Sequence, residues 1–396
     1  MTLHPTRGFW LAASAGLSLL AAGCGATGSR ATATGNTALT ATEPVTPLST
    51  SLTTTAGAWA TLPMTNPSLT PGTFWQLLYR PPGSQAAWTD HVDATATATN
   101  GGIVLAAAQP TVAAAVLPSD KLRFSPIVAT ATAGRSWTNG LLPAGVARRP
   151  DSLAIATTGQ AAALVGTGAR TRVVVAAHGL LTWSNLATTA QLAASRSGRS
   201  CGIDQLLAVT IQGATPLVGV SCHHPGVAGI LAYRNGSWLP AGPVMPPQAR
   251  SARVEVLSLD LRGSTLDALL ELDGPSGTSL VTARQSAGQS RWTLSDPLTL
   301  HAPTDLRSYG PDGTGIYVLT DDPRDTGHPA MQLAVSTSHA WRHLQPPPPG
   351  TATVAFPSGA PPQALAPHDQ TLAISTLNAA GTWRPTQHLQ IPVGGS

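Results

Sequence analysis

The sequence predicts an all-β protein assembled from similar four-stranded antiparallel units, and three observations lead to this prediction. Tryptophan recurs at steps of 42 to 55 residues between Trp88 and Trp383. Most of these tryptophans follow a run of strand-forming residues and a short polar turn. Glycine and proline number 39 and 35, and the apolar residues lack a helical period, which indicates many turns between short strands.

The repeat can be followed from one tryptophan to the next. In one copy the strand-like run 127–132 precedes the turn 133–136 and Trp137, and a proline follows at Pro143. Two further apolar runs lie upstream in each unit, as at 152–156 and 161–165. The repeated tryptophans are Trp88, Trp137, Trp183, Trp238, Trp292, Trp341 and Trp383. Four short strands in each repeat of this length are typical of a β-propeller.

The repeats are expected to close into a ring, because a single four-stranded sheet leaves both of its faces in water. Six units look complete, starting near residues 93, 149, 200, 252, 303 and 350, and the stretch 57–92 looks like an irregular seventh. We therefore expect seven blades, with six blades or a β-sandwich as alternatives. If the repeat positions are equivalent, the tryptophans should be largely buried between blades. This applies to Trp137, Trp238, Trp292 and Trp341.

The N-terminal segment predicts export. Residues 1–23 carry Arg7 ahead of an apolar stretch from Phe9 to Ala22 that contains no acidic residue, which is the layout of a signal peptide. This stretch is too short to cross the ~30 Å hydrocarbon core of a bilayer as a helix. No other stretch of the chain has eighteen consecutive apolar residues, so we expect no transmembrane anchor elsewhere.

The next residues, Leu20-Ala21-Ala22-Gly23-Cys24, resemble the lipobox of bacterial lipoproteins, with Ala21 where leucine is commonest. The resemblance implies that Cys24 becomes the mature N-terminus and carries the acyl chains that anchor the protein to the outer face of the bacterial cell membrane. An ordinary secretory leader is the alternative. Residues 24–56 are rich in Ala, Thr, Ser, Gly and Pro and are predicted to be a flexible tether. The propeller domain is then expected over 57–396.

The two remaining cysteines, Cys201 and Cys222, are predicted to form a disulfide in an oxidising compartment. The apolar runs between them surround Gly213 and predict a hairpin, which brings the two cysteines together at its open end. His223 and His224 follow directly. Adjacent residues on a strand point to opposite faces, so these two histidines are not expected to share a metal ion.

The charge pattern disfavours nucleic acid as a partner. Charged residues make up 10% of the chain, the formal net charge is +4, and arginines are mostly scattered singly beside one lysine, Lys121. A nucleic-acid surface needs a clustered basic stripe. We expect a monomer without a cofactor or metal, in contact with the membrane through Cys24 and with a protein or glycan ligand.

The turn before Trp137 resembles the Asp-box repeat of sialidase-like propellers, Ser-x-Asp-x-Gly-x-x-Trp. Thr130, Thr132, Gly134 and Trp137 stand at its four positions, so the aspartate is missing, and no unit of the chain keeps all four motif residues. The resemblance implies a sialidase-like architecture. A sialidase would also need three arginines, a tyrosine paired with a glutamate, and an acid/base aspartate. None of the four tyrosines lies in a recognisable catalytic string: Tyr79, Tyr233, Tyr309 and Tyr317.

Two acidic groups stand out in a chain with few acids. The group Asp267, Glu271 and Asp273 alternates with leucines and is predicted to be the solvent-exposed edge of a strand. The group Asp321, Asp322 and Asp325 is predicted to be a solvated turn, with a calcium site as the alternative. No serine-hydrolase, nucleotide-binding or zinc-protease motif occurs.

These observations lead us to expect a non-catalytic propeller, not an enzyme, that binds a protein or glycan partner in the cell envelope. No catalytic residue is assigned. The alternative is a glycan-acting hydrolase or lyase whose carboxylates meet at the centre of the propeller from distant loops. The lining of the central funnel distinguishes the two functions: an enzyme should bring together carboxylates and arginines, whereas a binding module should show aromatic or neutral side chains.

Overall fold

The computed structural model describes residues 49–65, 73–90, 102–118, 123–302, 305–322, 330–337 and 339–391. In these residues the chain is almost entirely β-structure, arranged as successive antiparallel meanders that we number units 1 to 7. Unit 1 contains β1 (Thr50–Thr54), β2 (Gly57–Thr65), β3 (Thr73–Arg80) and β4 (Thr89–Asp90). Unit 2 contains β5 (Ile103–Ala108), β6 (Thr111–Val116), β7 (Ser125–Thr130) and β8 (Thr138–Leu142). Unit 3 contains β9 (Leu153–Ile155), β10 (Ala161–Val165), β11 (Arg172–Ala176) and β12 (Ser184–Thr188), with a 3-10 turn at Gly168–Arg170.

Two short helices separate units 3 and 4, namely α1 (Thr189–Ala194) and α2 (Arg196–Cys201). Unit 4 contains β13 (Ile203–Gln212), β14 (Thr215–Cys222), β15 (Ile230–Arg234) and β16 (Ser237–Pro240), followed by a 3-10 turn at Pro247–Ala249. Unit 5 contains β17 (Arg253–Arg262), β18 (Thr265–Gly274), β19 (Gly277–Gln285), β20 (Thr293–Leu294) and β21 (Leu298–Leu300). Unit 6 contains β22 (Leu306–Pro311), β23 (Ile316–Asp322), β24 (Ala330–Ser336) and β25 (Trp341–Leu344). Unit 7 contains β26 (Thr353–Ala355), β27 (Gln363–His368), β28 (Thr371–Leu377) and β29 (Trp383–Gln390).

The first strand of each unit lies on the inside of a ring. Strand β1 contacts β5, β22 and β26, and contacts continue from β5 to β9, from β9 to β13 and from β13 to β17. Units 4 and 5 are also hydrogen-bonded to each other, since β14 pairs with β17 at Ser221–Glu255 and Cys222–Val254. This arrangement confirms the predicted all-β propeller fold. We keep seven blades as our interpretation, with units 4 and 5 as two blades that share this short pairing.

Alanine supplies much of the contact between neighbouring units. Ala113, Ala114 and Ala115 of β6 and Ala161 and Ala163 of β10 are almost fully buried in one apolar cluster. Small side chains allow sheets to approach closely, while a packed interior still needs complementary shapes. The low aromatic content of the chain is therefore compatible with a well-filled core.

Each repeated tryptophan stands at the start of the outermost strand of its unit, where the repeat places it. Several indoles donate a hydrogen bond to the backbone just after the preceding unit's outer strand. Trp292 donates to Ala241 O at 2.9 Å, Trp341 to Asp296 O at 3.0 Å, and Trp383 to Gln345 O at 2.9 Å. The repeat thus connects each of these units to the one before it.

The prediction that these tryptophans are largely buried is wrong, because more of their surface is exposed than expected. Each is half-buried and packs one face against an apolar cluster: Trp137, Trp238, Trp292 and Trp341. The outermost strand of a blade has a neighbour on only one edge, so a side chain at its start keeps part of its surface in water. The fully buried tryptophans are instead Trp59 and Trp88 in unit 1.

In the described residues units 1 and 7 share no strand, so the ring is closed there by side-chain contacts and by one backbone hydrogen bond from Thr65 N to Asp369 O at 3.1 Å. The buried indole of Trp88 donates to Gln363 Oε1 at 2.8 Å. The backbone of Trp88 exchanges two hydrogen bonds with the amide of Gln387, at 2.9 and 2.7 Å. On the inner side, Ser51 Oγ donates to Val354 O at 2.7 Å.

Two local features differ from the sequence-based expectation. Strand β1 lies inside the segment 24–56 that was predicted to be a tether, so the folded domain begins before residue 57. Helices α1 and α2 were not predicted. Helix α1 begins with a capping box in which Thr188 and Gln191 satisfy each other's backbone N–H groups.

The predicted disulfide between Cys201 and Cys222 is confirmed. The hairpin is formed by β13 and β14, with Gly213 in the left-handed region at its turn. Cys201 ends α2 instead of lying on a strand. A Cβ atom on the nearby Gly229 would lie 2.6 Å from Cys222 Sγ and 3.1 Å from Cys201 Sγ, so this position requires glycine.

Ring closure can be tested with Trp88→Phe. Phenylalanine keeps much of the buried aromatic surface but lacks the N–H group, which leaves Gln363 Oε1 without its donor in a buried place. We expect the free energy of unfolding, measured in urea, to fall by about 1–3 kcal/mol.

Trp341→Phe is the matched control for this experiment. It removes the same kind of hydrogen bond at a more exposed place, where water can replace the indole as donor to Asp296 O. A loss of stability in Trp341→Phe that equals or exceeds the loss in Trp88→Phe would contradict a special role of Trp88 in closing the ring.

Candidate active site at the centre of the propeller

The segment before β9 is fixed against the inner strands of units 4 and 5. The backbone oxygen of Asp151 accepts a hydrogen bond from Val209 N at 2.8 Å. Its carboxyl group accepts one from Leu259 N at 3.3 Å and another from the Ser258 hydroxyl. An acidic side chain from unit 3 is therefore held among strands that are more than fifty residues away in sequence.

Two further groups join Asp151 at the centre. Tyr309 of β22 is buried, and its hydroxyl donates to Leu257 O at 3.2 Å. Arg149 Nη2 donates to Gln205 Oε1 at 2.8 Å. The charges of Asp151 and Arg149 both act on the Tyr309 hydroxyl. Units 3, 4, 5 and 6 thus all contribute to this region.

The inner strands at this place are irregular. The pairing register shifts between Ile203 and Gln205 and between Leu206 and Ala208 in β13, and between Val256 and Ser258 in β17. A fourth shift occurs between Leu306 and Ser308 in β22. A β-bulge re-aims side chains and is frequent next to active sites. These bulges explain why polar groups from several strands turn toward one region.

A second carboxyl group near Tyr309 belongs to Glu271. Glu271 of β18 pairs in register with Glu255 of β17. Glu255 accepts a hydrogen bond from Ser221 Oγ at 3.1 Å and forms an ion pair with Arg253 at 3.2 Å. In the part of the chain that the structure describes, the Glu271 side chain has no hydrogen bond or ion pair. Its charge acts on Tyr309 together with that of Asp151.

The surroundings raise the pKa of both carboxyl groups. Burial raises the pKa of Asp151 to about 7, with a smaller contribution from Asp260, against the opposing hydrogen bonds from Ser258 and Leu259. Burial raises the pKa of Glu271 to about 7 as well, and Glu255 and Asp273 add to the effect while Arg253 opposes it. Both residues are half-buried.

Tyr309 differs from these carboxyl groups. Burial raises its pKa well above the usual value, and the neighbouring Asp151 raises it further. The phenol therefore stays neutral and hydrogen-bonded to the backbone of β17 at physiological pH.

A separate charged cluster lies at the other end of β17, β18 and β19. Asp267 is 2% exposed and is held by Arg262 and by Arg284 Nε, the latter at 2.7 Å. Burial raises the pKa of the neighbouring Asp260 to about 6, while Arg262 lowers it and Asp267 raises it. The prediction of a solvent-exposed edge is therefore wrong for Asp267, although Asp273 is exposed as expected. Neighbouring blades cover both faces of this sheet, so a polar residue inside it needs charged partners.

The other sequence-predicted positions are not part of the central site. Asp321 pairs with Arg307 at 2.6 Å, whereas Asp325 and the Asp322 side chain lie outside the described residues. Cys24 also lies outside them. Among the described residues no group of three or more His, Cys, Asp or Glu side chains is arranged to hold a metal ion.

Sequence reasoning missed Asp151, Arg149 and the role of Glu271. The one available signal is the string Arg148-Arg149-Pro150-Asp151, which is dense in charge for this chain and directly precedes an inner strand. Nothing in the sequence indicates that it meets β17 and β22.

In the described part of the chain no helix is long and apolar enough to cross a membrane.

Comparison with protein-family models gives no match, and none of the curated proteins matches either. Solved structures do resemble the chain. A xyloglucanase from Xanthomonas campestris is 14% identical, with a TM-score of 0.46 over 84% of this chain and 51% of that one. The chain therefore spans about half the length of the xyloglucanase.

Two other structures resemble the chain over most of their own length. The periplasmic gluconolactonase of Pseudomonas aeruginosa is 13% identical over 84% of this chain and 96% of that one, with a TM-score of 0.47. An α-L-arabinofuranosidase from Clostridium thermocellum is 10% identical over 62% of this chain and 94% of that one, with a TM-score of 0.35. At these identities the likeness concerns the propeller fold alone.

The expectation that the chain is not an enzyme is corrected by these findings. The similar structures named above are enzymes, so the absence of a catalytic motif in a propeller sequence does not indicate a non-catalytic protein. The criterion set for an enzyme is met in part, because the charges of two carboxyl groups, Asp151 and Glu271, and of one arginine, Arg149, act on the same buried hydroxyl group of Tyr309.

Proposed function

We propose that the chain is a glycan-acting hydrolase with its active site at the centre of the propeller. The observation that carries the proposal is that the charges of Asp151 and Arg149 from unit 3 and of Glu271 from unit 5 all act on the hydroxyl group of Tyr309 in unit 6. Most glycoside hydrolases cleave their substrate with a pair of carboxyl groups, one acting as acid and the other as base or nucleophile.

The surroundings of the two carboxyl groups assign their roles. Among the described residues Glu271 has no hydrogen-bond donor to stabilise its ionised form, and Glu255 and Asp273 repel a negative charge there, so it is the general acid. Asp151 accepts hydrogen bonds from Leu259 N and Ser258, which favour the carboxylate, so it is the general base.

The proposed reaction is a direct hydrolysis. Glu271 donates its proton to the glycosidic oxygen as the bond from that oxygen to the anomeric carbon breaks. Asp151 takes a proton from the water molecule whose oxygen bonds to the same carbon. Arg149, oriented by Gln205, binds substrate oxygens.

A tyrosine nucleophile of the sialidase kind is not part of the proposal. Such a nucleophile needs an accessible phenol that ionises readily, whereas Tyr309 is 3% exposed and has a raised pKa.

A distant relation to Asp-box propellers is still supported by the turn before Trp137. Thr130 Oγ1 accepts from Thr132 N at 3.1 Å and from Gly134 N at 3.0 Å, so a threonine hydroxyl organises this turn.

Glu271→Gln and Asp151→Asn test the proposed pair. Each variant removes a proton-transfer group, and we expect kcat to fall by about 10²–10⁴-fold. The assay is the release of reducing ends from a panel of purified polysaccharides. Asp296→Asn is the matched control, since Asp296 has an exposed carboxyl group that carries no proposed role. Hydrolysis that survives both substitutions at the wild-type rate would refute this active site.

The pH dependence of kcat/KM provides a second test. Below pH about 7 Asp151 becomes protonated and loses its function as base, and above pH about 7 Glu271 ionises and loses its function as acid. We therefore expect a narrow bell-shaped profile centred near pH 7. A rate that stays constant from roughly pH 5 to pH 9 would contradict the assignment.

We also propose that the enzyme is exported and anchored to the outer face of the bacterial cell membrane through a lipid on Cys24. The lipobox-like string Leu20-Ala21-Ala22-Gly23-Cys24 and the apolar leader support this location. An extracellular location also agrees with the Cys201–Cys222 disulfide.

Cys24→Ser removes the thiol that would accept the acyl chains. The variant should appear in the culture medium after fractionation, because the remaining chain is not expected to bind the membrane. The unchanged protein should stay with the membrane and enter the detergent phase. Retention of the serine variant on membranes would show that a different segment anchors the protein.

A further inference from the structure

A groove of about 470 Å³ lies between units 4 and 5, away from the proposed active site. One wall is β16 with the residues that follow it, and the other is the turn 286–290 after β19. Leu217 and Ala232, both buried in the core, also line it. The volume is in the usual range for ligand sites.

The polar side chains in this groove have free hydrogen-bonding capacity. Gln212, Gln285 and Gln289 line it with amide groups, and Arg234 lines it with the one charged group among the lining residues. Within the described residues none of these four side chains forms a hydrogen bond or ion pair. None of the described residues that line the groove is acidic, so among them the guanidinium of Arg234 has no counter-charge.

The backbone of this groove is poorly suited to an extended peptide. A peptide that adds to a sheet edge needs free N–H and C=O groups. Pro240 has no N–H group. The carbonyl of Trp238 accepts from Ser197 Oγ at 2.9 Å, and that of Ala241 accepts from the Trp292 indole at 2.9 Å. These backbone groups of the outer strand are already occupied.

We infer that this groove is a second, non-catalytic site that binds an acidic oligosaccharide containing uronic acid units. Arg234 pairs with a sugar carboxylate, which is the bidentate partner that a guanidinium prefers. The three glutamine amides, each with donors and an acceptor, bind sugar hydroxyl groups. This inference rests on the groove alone and does not require the central site to be catalytic.

Isothermal titration of the full chain with a galacturonate hexasaccharide tests the inference. The titration uses the Glu271→Gln background so that hydrolysis does not disturb it, and a neutral galactose hexasaccharide is titrated in parallel. We expect the galacturonate chain to bind and Arg234→Gln to raise Kd about tenfold, which corresponds to 1.4 kcal/mol. Gln285→Ala and Gln289→Ala should each weaken binding as well.

Arg384→Gln is the matched control, because Arg384 is an exposed arginine of β29 that does not line the groove. Its Kd should equal that of the unsubstituted chain.

Absence of galacturonate binding, equal binding of the neutral hexasaccharide, or an unchanged Kd in Arg234→Gln each overturns the inference. Binding of an extended peptide that depends on Arg234, without galacturonate binding, would overturn it in favour of a peptide site. Loss of binding in Asp151→Asn but not in Arg234→Gln would assign the sugar to the centre.

Discussion

Closure of the ring between units 1 and 7 is the constraint on which the rest of the structure depends. Every described strand of unit 1 comes from one stretch of chain, so no shared strand joins the two ends in this part of the chain. Trp88, with the amides of Gln363 and Gln387, supplies much of the connection instead. The centre is formed by side chains from four units, and their relative positions are defined only when the ring is complete. The stability of the closure therefore also determines how well Asp151 and Tyr309 are held together.

The tryptophan repeat extends this principle around the ring. The indoles of Trp292, Trp341 and Trp383 each donate to the backbone that leaves the preceding unit. A directional hydrogen bond fixes the angle between two sheets, which apolar packing alone defines less sharply. This explains why tryptophan recurs at half-buried positions, where another apolar residue would fill similar space without the N–H group.

The repeat and the hairpin were predictable because both depend on local patterns. Strand runs, turns and Trp137 or Trp292 lie close together in sequence, and the disulfide closes a short loop. The active site was not predictable, since Asp151 meets Leu259 and Tyr309 only after the ring closes. Asp267 was misinterpreted for a related reason: alternation with leucine indicates one wet face on an isolated sheet, but a blade is covered on both faces. Its arginine partners could not be recognised from spacing.

The pairing of β14 with β17 gives the space between units 4 and 5 a tapered form. At one end of β14, Ser221 and Cys222 are hydrogen-bonded to Glu255 and Val254, so the two sheets are joined there. At the other end, near Leu217, the sheets diverge and the groove opens. If the groove widens, the two sheets separate at the unpaired end, while the pairing of β14 with β17 holds the other end together. The paired end contains Glu255, the register partner of Glu271. A ligand that separates the sheets would therefore strain the backbone next to the proposed acid.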